Sequence, residues 1–331
     1  MATDGNTVVV MLRTVARRVG ALLSVGMSAL SAASAQSGRG AAEVTRTPGG
    51  TVSVRLLVRP RVGDTLRLQM EQTIEVSRRT VPPGAAQGAP VIDGTRTSPR
   101  TPVRAPSVDY GPRRARAGAR ITRLQLYAHS LVEASDLTIT TLLATTDSMA
   151  MWAGAPGATG TPRMMPLPLE GRQVRVRVAP DGSMRVNDPP PGAMELGATL
   201  ASIPGMLPTD AVRVGDTWER DIAMPSVPVS GYRADGVVRA SFRLDSLTQG
   251  GRNAWISLDG SMHRDGSVRE LPAGTRVITA GTLRGLLVVD RQRAWIVDAR
   301  TLMDVQSEVT PAAGGAVVVL DMRITQRVRV K

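Results

Sequence analysis

The segment "AVVVLDMRITQRVRV", residues 316–330, decides the fold. Met322, Ile324, Gln326, Val328 and Val330 fall on one face, and Arg323, Thr325, Arg327, Arg329 and the terminal Lys331 on the other. A side-chain period of two belongs to a β-strand. One apolar face and one solvated face belong to an antiparallel sheet, because a parallel sheet is covered on both sides.

Four segments of the same character precede it: "GVVRASFRLDSLTQ" (236–249), "NAWISLDGSMH" (253–263), "TRVITAGTLRGLLVVD" (275–290) and "RAWIVDARTLMDVQSEV" (293–309). The links "GGR", "DRQ" and "PAAGG" are short and made of turn formers, so consecutive strands pair as a β-meander. Strand character returns in the first half, in "TVSVRLLV", "TLRLQMEQTIEVS", "ITRLQLYAHSLVEAS", "DLTITTLLATTDSMAMW" and "RQVRVRVAPDGSMRVN". In "RQVRVRV", Val174, Val176 and Val178 oppose Arg175 and Arg177, a solvated sheet face. No helix-period segment separates these strands, which excludes a βαβ wind. The expected fold is mainly β: a large curved antiparallel sheet, a half-barrel-like meander, with one short covering helix over 193–203. Pro189–Pro191 precede that helix, and Pro204 and Gly205 end it. Residues 80–120 carry seven prolines and the basic run "PRRARAGAR"; this composition predicts a disordered excursion between two strands.

The pentapeptide "RVGDT" occurs twice, at 61–65 and 213–217, each time before a strand. Glycine permits a positive φ and aspartate accepts a backbone hydrogen bond. Gly63 and Asp64, and Gly215 and Asp216, therefore read as structural turns rather than an acid–base dyad, since neither copy has a histidine, nucleophile or second carboxylate at a helpful spacing.

Arg13, Arg17 and Arg18, the uncharged run "VGALLSVGMSALSAASA", and Ala33-Ser34-Ala35 form an export signal with cleavage expected after Ala35. Translation starts at Met1 or Met11. The expected mature chain, 36–331, is a single β-rich domain, periplasmic or secreted, with no transmembrane helix after cleavage. It has no cysteine, hence no disulfide and no lipid-attachment site. Without the signal, 38 basic residues face 27 acidic ones, a net charge of +11. Such a balance suits an anionic surface, met through Arg113, Arg114, Arg116 and Arg120. With 2% aromatic residues there is no platform for stacking bases, so nucleic acid is not an expected partner.

His129 and His263, the two histidines, show no metal-ligand spacing. "HRD" at 263–265 is read as a hairpin end, because no phosphate loop or catalytic lysine accompanies it. No catalytic residue, metal or cofactor is assigned. Trp218, Trp255 and Trp295 sit beside aliphatic residues and are expected in the core, as are most of the methionines.

The succession "LPTDAVRVGDTWERDI", "FRLDSL…AWISLDGSM", "AGTLRGLLVVDRQRAWIVDARTLMDVQSEV" and "MRITQRVRV" resembles a family of uncharacterised exported bacterial proteins of about 300 residues, well over 205–331 and weakly over 50–80. No function comes with that resemblance. Long strands with a covering helix are more loosely similar to the half-barrels of periplasmic lipoprotein carriers. With no catalytic motif, the expected protein is non-enzymatic, and a long half-buried sheet with a helix to cover it suits a hydrophobic or amphipathic ligand held in the concavity. The segment 189–208 would be its lid, with Met194, Leu196, Leu200, Ile203 and Met206 facing the ligand. The alternatives are an envelope module contacting anionic glycan, lipid headgroups or protein, and an outer-membrane β-barrel.

Overall fold

A computed structural model describes residues 52–82, 119–155, 173–186, 205–223, 236–267, 274–311 and 314–330, with strand assignments also at 32–33, 44–46 and 163–164. Most of the expected export signal, the Pro-rich stretch 83–118 and the expected helix over 193–203 lie outside the described residues. Among the described residues all regular structure is strand. The first half holds β1 (Ala32–Ala33), β2 (Val44–Arg46), β3 (Val52–Val54), β4 (Thr65–Val81), β5 (Arg120–Ser135), β6 (Thr140–Gly154), β7 (Arg163–Met164), β8 (Val174–Val178) and β9 (Met184–Val186). The second half holds β10 (Val212–Arg213), β11 (Thr217–Ala223), β12 (Gly236–Thr248), β13 (Asn253–Ser267), β14 (Arg276–Asp290), β15 (Trp295–Thr310) and β16 (Val317–Val330).

Eleven strands form one continuous antiparallel path, β11-β12-β13-β14-β15-β16-β4-β5-β6-β8-β9; β1 pairs β4 and β7 pairs β6 beside it. Two meanders are thus spliced at the centre, where β16 pairs β4 from Val317↔Val81 to Val330↔Leu68. Each meander starts at one copy of the repeated pentapeptide. The fold class read from alternation holds: a large curved antiparallel sheet. "TVSVRLLV" is the exception. Only its Val52–Val54 is strand, and it pairs β2 and β10 in a small separate sheet.

Alternation places the core on one face. Leu66, Leu68, Met70, Gln72 and Ile74 of β4 point inward and are buried, as are Met322, Ile324, Gln326 and Val328 of β16 and Val174, Val176 and Val178 of β8. Six methionines (70, 184, 206, 262, 303 and 322) belong to this core. The tryptophan expectation needs one correction. Trp295 is buried and Trp218 half-buried, but Trp255 lies on the outward face, where its indole N–H donates to Thr248 Oγ1 at 3.0 Å. The cause is register, since Ala254 and Ile256 take the inward positions on either side of it. "HRD" lies near the end of β13, where His263 and Arg264 pair with both β12 and β14 and Asp265 pairs with β14.

Glycines turn the sheet's corners. A Cβ on Gly260 or Gly285 would stand 2.7 Å from the carbonyl oxygen of Arg239 or Arg300 on the next strand, and one on Gly281 would stand 2.6 Å from that of Asp304. Only a residue without a Cβ lets the neighbouring backbone come this close.

The short turns at 61–64, 135–140, 179–184, 213–217, 248–253 and 290–295 all gather at one end, which is closed. Residues 54–60 cross it in extended form, burying Val54, Leu56 and Val58 at no more than 1% exposure. Val58 N–H donates to the Pro180 carbonyl and Arg59 N–H to that of Ala294, both at 2.8 Å. A second strap, 205–207, joins the two edges of the sheet. Met206 and Leu207 donate their N–H groups to the Asp181 carbonyl at the β8–β9 turn, at 3.0 and 2.9 Å. Their own carbonyls accept from Trp218 Nε1 at 2.9 Å and from the Arg220 guanidinium at 3.0 Å on β11. The sheet therefore curls until its edge strands flank a single two-residue segment.

Candidate functional site

Cross-strand register traces a belt of inward side chains through nine strands. From β11 it runs Trp218–Phe242–Leu258–Gly285–Thr301, and continues as Gln326–Gln72–Leu124–Met151 to β6. Side chains directly opposite on one face lie about 5 Å apart at Cβ, and at Gly285, which has none, Leu258 and Thr301 close in over the backbone. Trp218 stacks on Phe242 with ring centroids 5.7 Å apart.

Two members break the apolar pattern. Gln72 is 2% exposed and Gln326 3%. Gln326 Nε2 donates to the thioether sulfur of Met70 at 3.1 Å, a weak acceptor. Gln326 Oε1 and both amide atoms of Gln72 have no hydrogen-bond partner among the described residues. A buried amide without a partner costs free energy on the order of 1–3 kcal/mol, so an adjacent pair of them is a feature to explain. Between β14 and β6, the belt and the rows on either side of it carry no ionisable side chain. Those rows run from Leu287 through Val328 to Met149 and from Leu283 through Ile324 to Ala153.

The wall beside Gln72 is less deeply buried than its neighbours. β8 pairs β6 from Thr140 to Ala144, and β7 meets β6 again at Ala150 and Met151. Above that level the inward Leu124, Leu126, Met149 and Met151 are only half-buried, whereas Met70, Val328 and Ile324 alongside are at most 1% exposed. An apolar wall thus stays partly open next to two unsatisfied amides.

The outward face is polar and internally paired. Asp298 receives Arg300 at 2.8 Å and Arg327 at 3.0 Å, Glu133 receives Arg175 at 3.0 Å, and Asp321 receives Arg79 at 3.5 Å. His129 bonds Asp147, which bulges out of β6. His263 is exposed on β13, five strands away along the sheet. The two histidines do not meet, and no cluster of three metal-ligating side chains occurs among the described residues.

The repeated turns share one geometry. Gly63 and Gly215 adopt φ of 88° and 98°. The carboxylates reach backwards: Asp64 Oδ2 accepts from Arg61 N–H at 3.0 Å and Asp216 Oδ2 from Arg213 N–H at 2.7 Å. Each turn docks on the returning strand by a matching pair of bonds. Gly63 N–H donates to the Val132 carbonyl and Val132 N–H to that of Asp64; Gly215 and Asp216 do the same with Leu244. Both docking residues border a β-bulge, Val132/Ala134 and Leu244/Ser246. The likeness therefore extends from five residues to a whole turn–strand–strand unit.

Met206 is 6% exposed in the closed-end strap. Met194, Leu196, Leu200 and Ile203 lie outside the described residues, as do Arg113, Arg114 and Arg116; Arg120 is exposed at the first position of β5. Sequence reasoning placed Gln326 on the apolar face without asking why an amide belongs there. Gln72, in the inward series Leu66-Leu68-Met70-Gln72-Ile74, gave the same signal. No protein-family model matches the chain, and no curated protein is similar to it.

Proposed function

We propose that this is an exported, non-enzymatic protein that holds a hydrophobic or amphipathic ligand inside its curled sheet. The observation that carries the reading is the half-buried inward wall of Leu124, Leu126, Met149 and Met151, bordering the buried glutamines. Export rests on the signal-like residues 1–35, and the resemblance to exported bacterial proteins is consistent with it. A wall with three methionines in it or beside it (70, 149 and 151) re-packs around a guest at low cost. The absence of ionisable groups from the three central rows between β14 and β6 favours binding over acid–base chemistry there.

Neither alternative is favoured by a specific observation. A membrane barrel shows lipid an apolar outer band, yet exposed Arg123, Arg175, Arg239, Asp259, Arg284 and Asp304 all lie on the outward face. An anionic-surface module needs free cations, and the pairs at Asp298, Glu133 and Asp321 occupy several of the outer arginines.

Native mass spectrometry with lipid extraction, on mature protein purified from a bacterial periplasm without detergent, tests the reading. A bound mass of lipid size is expected. A clean apo mass that takes up no added amphiphile overturns it.

A further inference from the structure

We infer that the Gln72–Gln326 pair is a recognition site for an uncharged hydrogen-bonding group, an amide or a hydroxyl, carried on an apolar chain. This deepens the proposed function and rests on it. The free atoms define the chemistry. Gln72 Nε2 offers donors, and Gln72 Oε1 and Gln326 Oε1 offer acceptors. A group that both donates and accepts satisfies them together.

The surroundings exclude a charged head at this point. The three central rows between β14 and β6 hold no ionisable side chain to pair with one, and burying a lone charge costs far more than burying an amide. Followed on to the edge strand β11, the Leu283 row reaches Arg220, whose guanidinium already donates to the Leu207 carbonyl. The chain attached to the head would lie along Leu124 and Met151, the half-buried neighbours of Gln72 in the belt. Both glutamines are sealed in the present packing, so a guest reaches them by displacing side chains. Met70, whose sulfur holds Gln326 Nε2, is the side chain to move.

The test is competition of four twelve-carbon probes against an apolar fluorescent dye, using the full mature chain at pH 7. The probes are dodecanamide, 1-dodecanol, dodecanoate and 1-chlorododecane. Dodecanamide and 1-dodecanol are expected to bind at least about tenfold more tightly than 1-chlorododecane, the worth of one buried hydrogen bond. The double variant Gln72→Leu/Gln326→Leu is expected to bring that preference within about twofold while keeping 1-chlorododecane binding. The single variant Gln72→Met, which keeps the volume, serves if the double variant does not fold. Binding that is blind to the head group, or a preference unchanged in these variants, overturns this inference and leaves the proposed function standing. Dodecanoate as the best probe also overturns it, and points to Arg220 instead. If no probe displaces the dye, the proposed function itself fails.

Discussion

Asp290 ends β14 as a buried carboxylate with two opposing influences. Burial alone would raise its pKa. The Arg252 guanidinium, donating to Oδ2 at 2.8 Å, and the N–H groups of Arg293 and Gln292, donating to Oδ1, outweigh burial and hold it below the usual carboxylate range. A depressed carboxylate contributes stability that is present above its unfolded pKa of about 3.9 and is lost as pH falls through the lower folded value. Asp290→Asn keeps the turn bonds and loses the charge. It is expected to cost about 2 kcal/mol at pH 7, and the gap to wild type should close as pH drops below about 4. Urea titrations at pH 7 and pH 3 measure this; an equal gap at both values refutes it. The turn "DRQ" marked Asp290 in the sequence, but nothing local pointed to Arg252, 38 residues upstream. Gln72 and Gln326 are alike in this respect. Each is an amide in an apolar series, and only register makes them neighbours.

At the scale of the element, the two RVGDT turns are interchangeable parts. Each sets a glycine at positive φ, ties an aspartate back to the arginine N–H three residues earlier, and docks on a bulged strand. Asp64→Ala and Asp216→Ala are each expected to cost about 1 kcal/mol, as the loss of a capping bond does. The double variant should cost close to the sum, because the turns dock on different strands and share no partner. Midpoints in urea should fall with an unchanged slope. Unshifted midpoints in both single variants would sink the assignment. The turns and most strands were legible beforehand because glycine, aspartate and period-two alternation are local signals. The bulges were not, because a bulge is a relation between two strands.

At the scale of the whole molecule, closure depends on a strap that no periodicity announced. Gly205 is packed so closely on Asp181 that an added Cβ would stand 2.3 Å from its carboxyl carbon. That carboxylate is held in turn by the Ser183 N–H at 2.9 Å. Gly205→Ala must therefore push the Asp181 carboxylate off the Ser183 N–H or lift the strap, and either movement strains the bonds from Met206 and Leu207 to Asp181. A loss of about 3 kcal/mol is expected, combining overpacking with weakened hydrogen bonds. Hydrogen exchange should show protection lost at Met206, Leu207 and β11 while β13 to β16 keep theirs. Uniform loss across the sheet, or none, would refute the strap as the device that joins the edges.

The sequence by itself determined most of the strands, the inward faces of β8 and β16, the antiparallel class and the position of both repeated turns, because each depends on side chains within a few residues of one another. Only the tertiary structure decided that the two meanders splice at β16 and β4, that Trp255 faces outward, that residues 54–60 and 205–207 close one end, and that two glutamines from the splice meet inside. Those outcomes depend on which strands pair and in which register. Register is set jointly by every row of the sheet, and no single segment carries it.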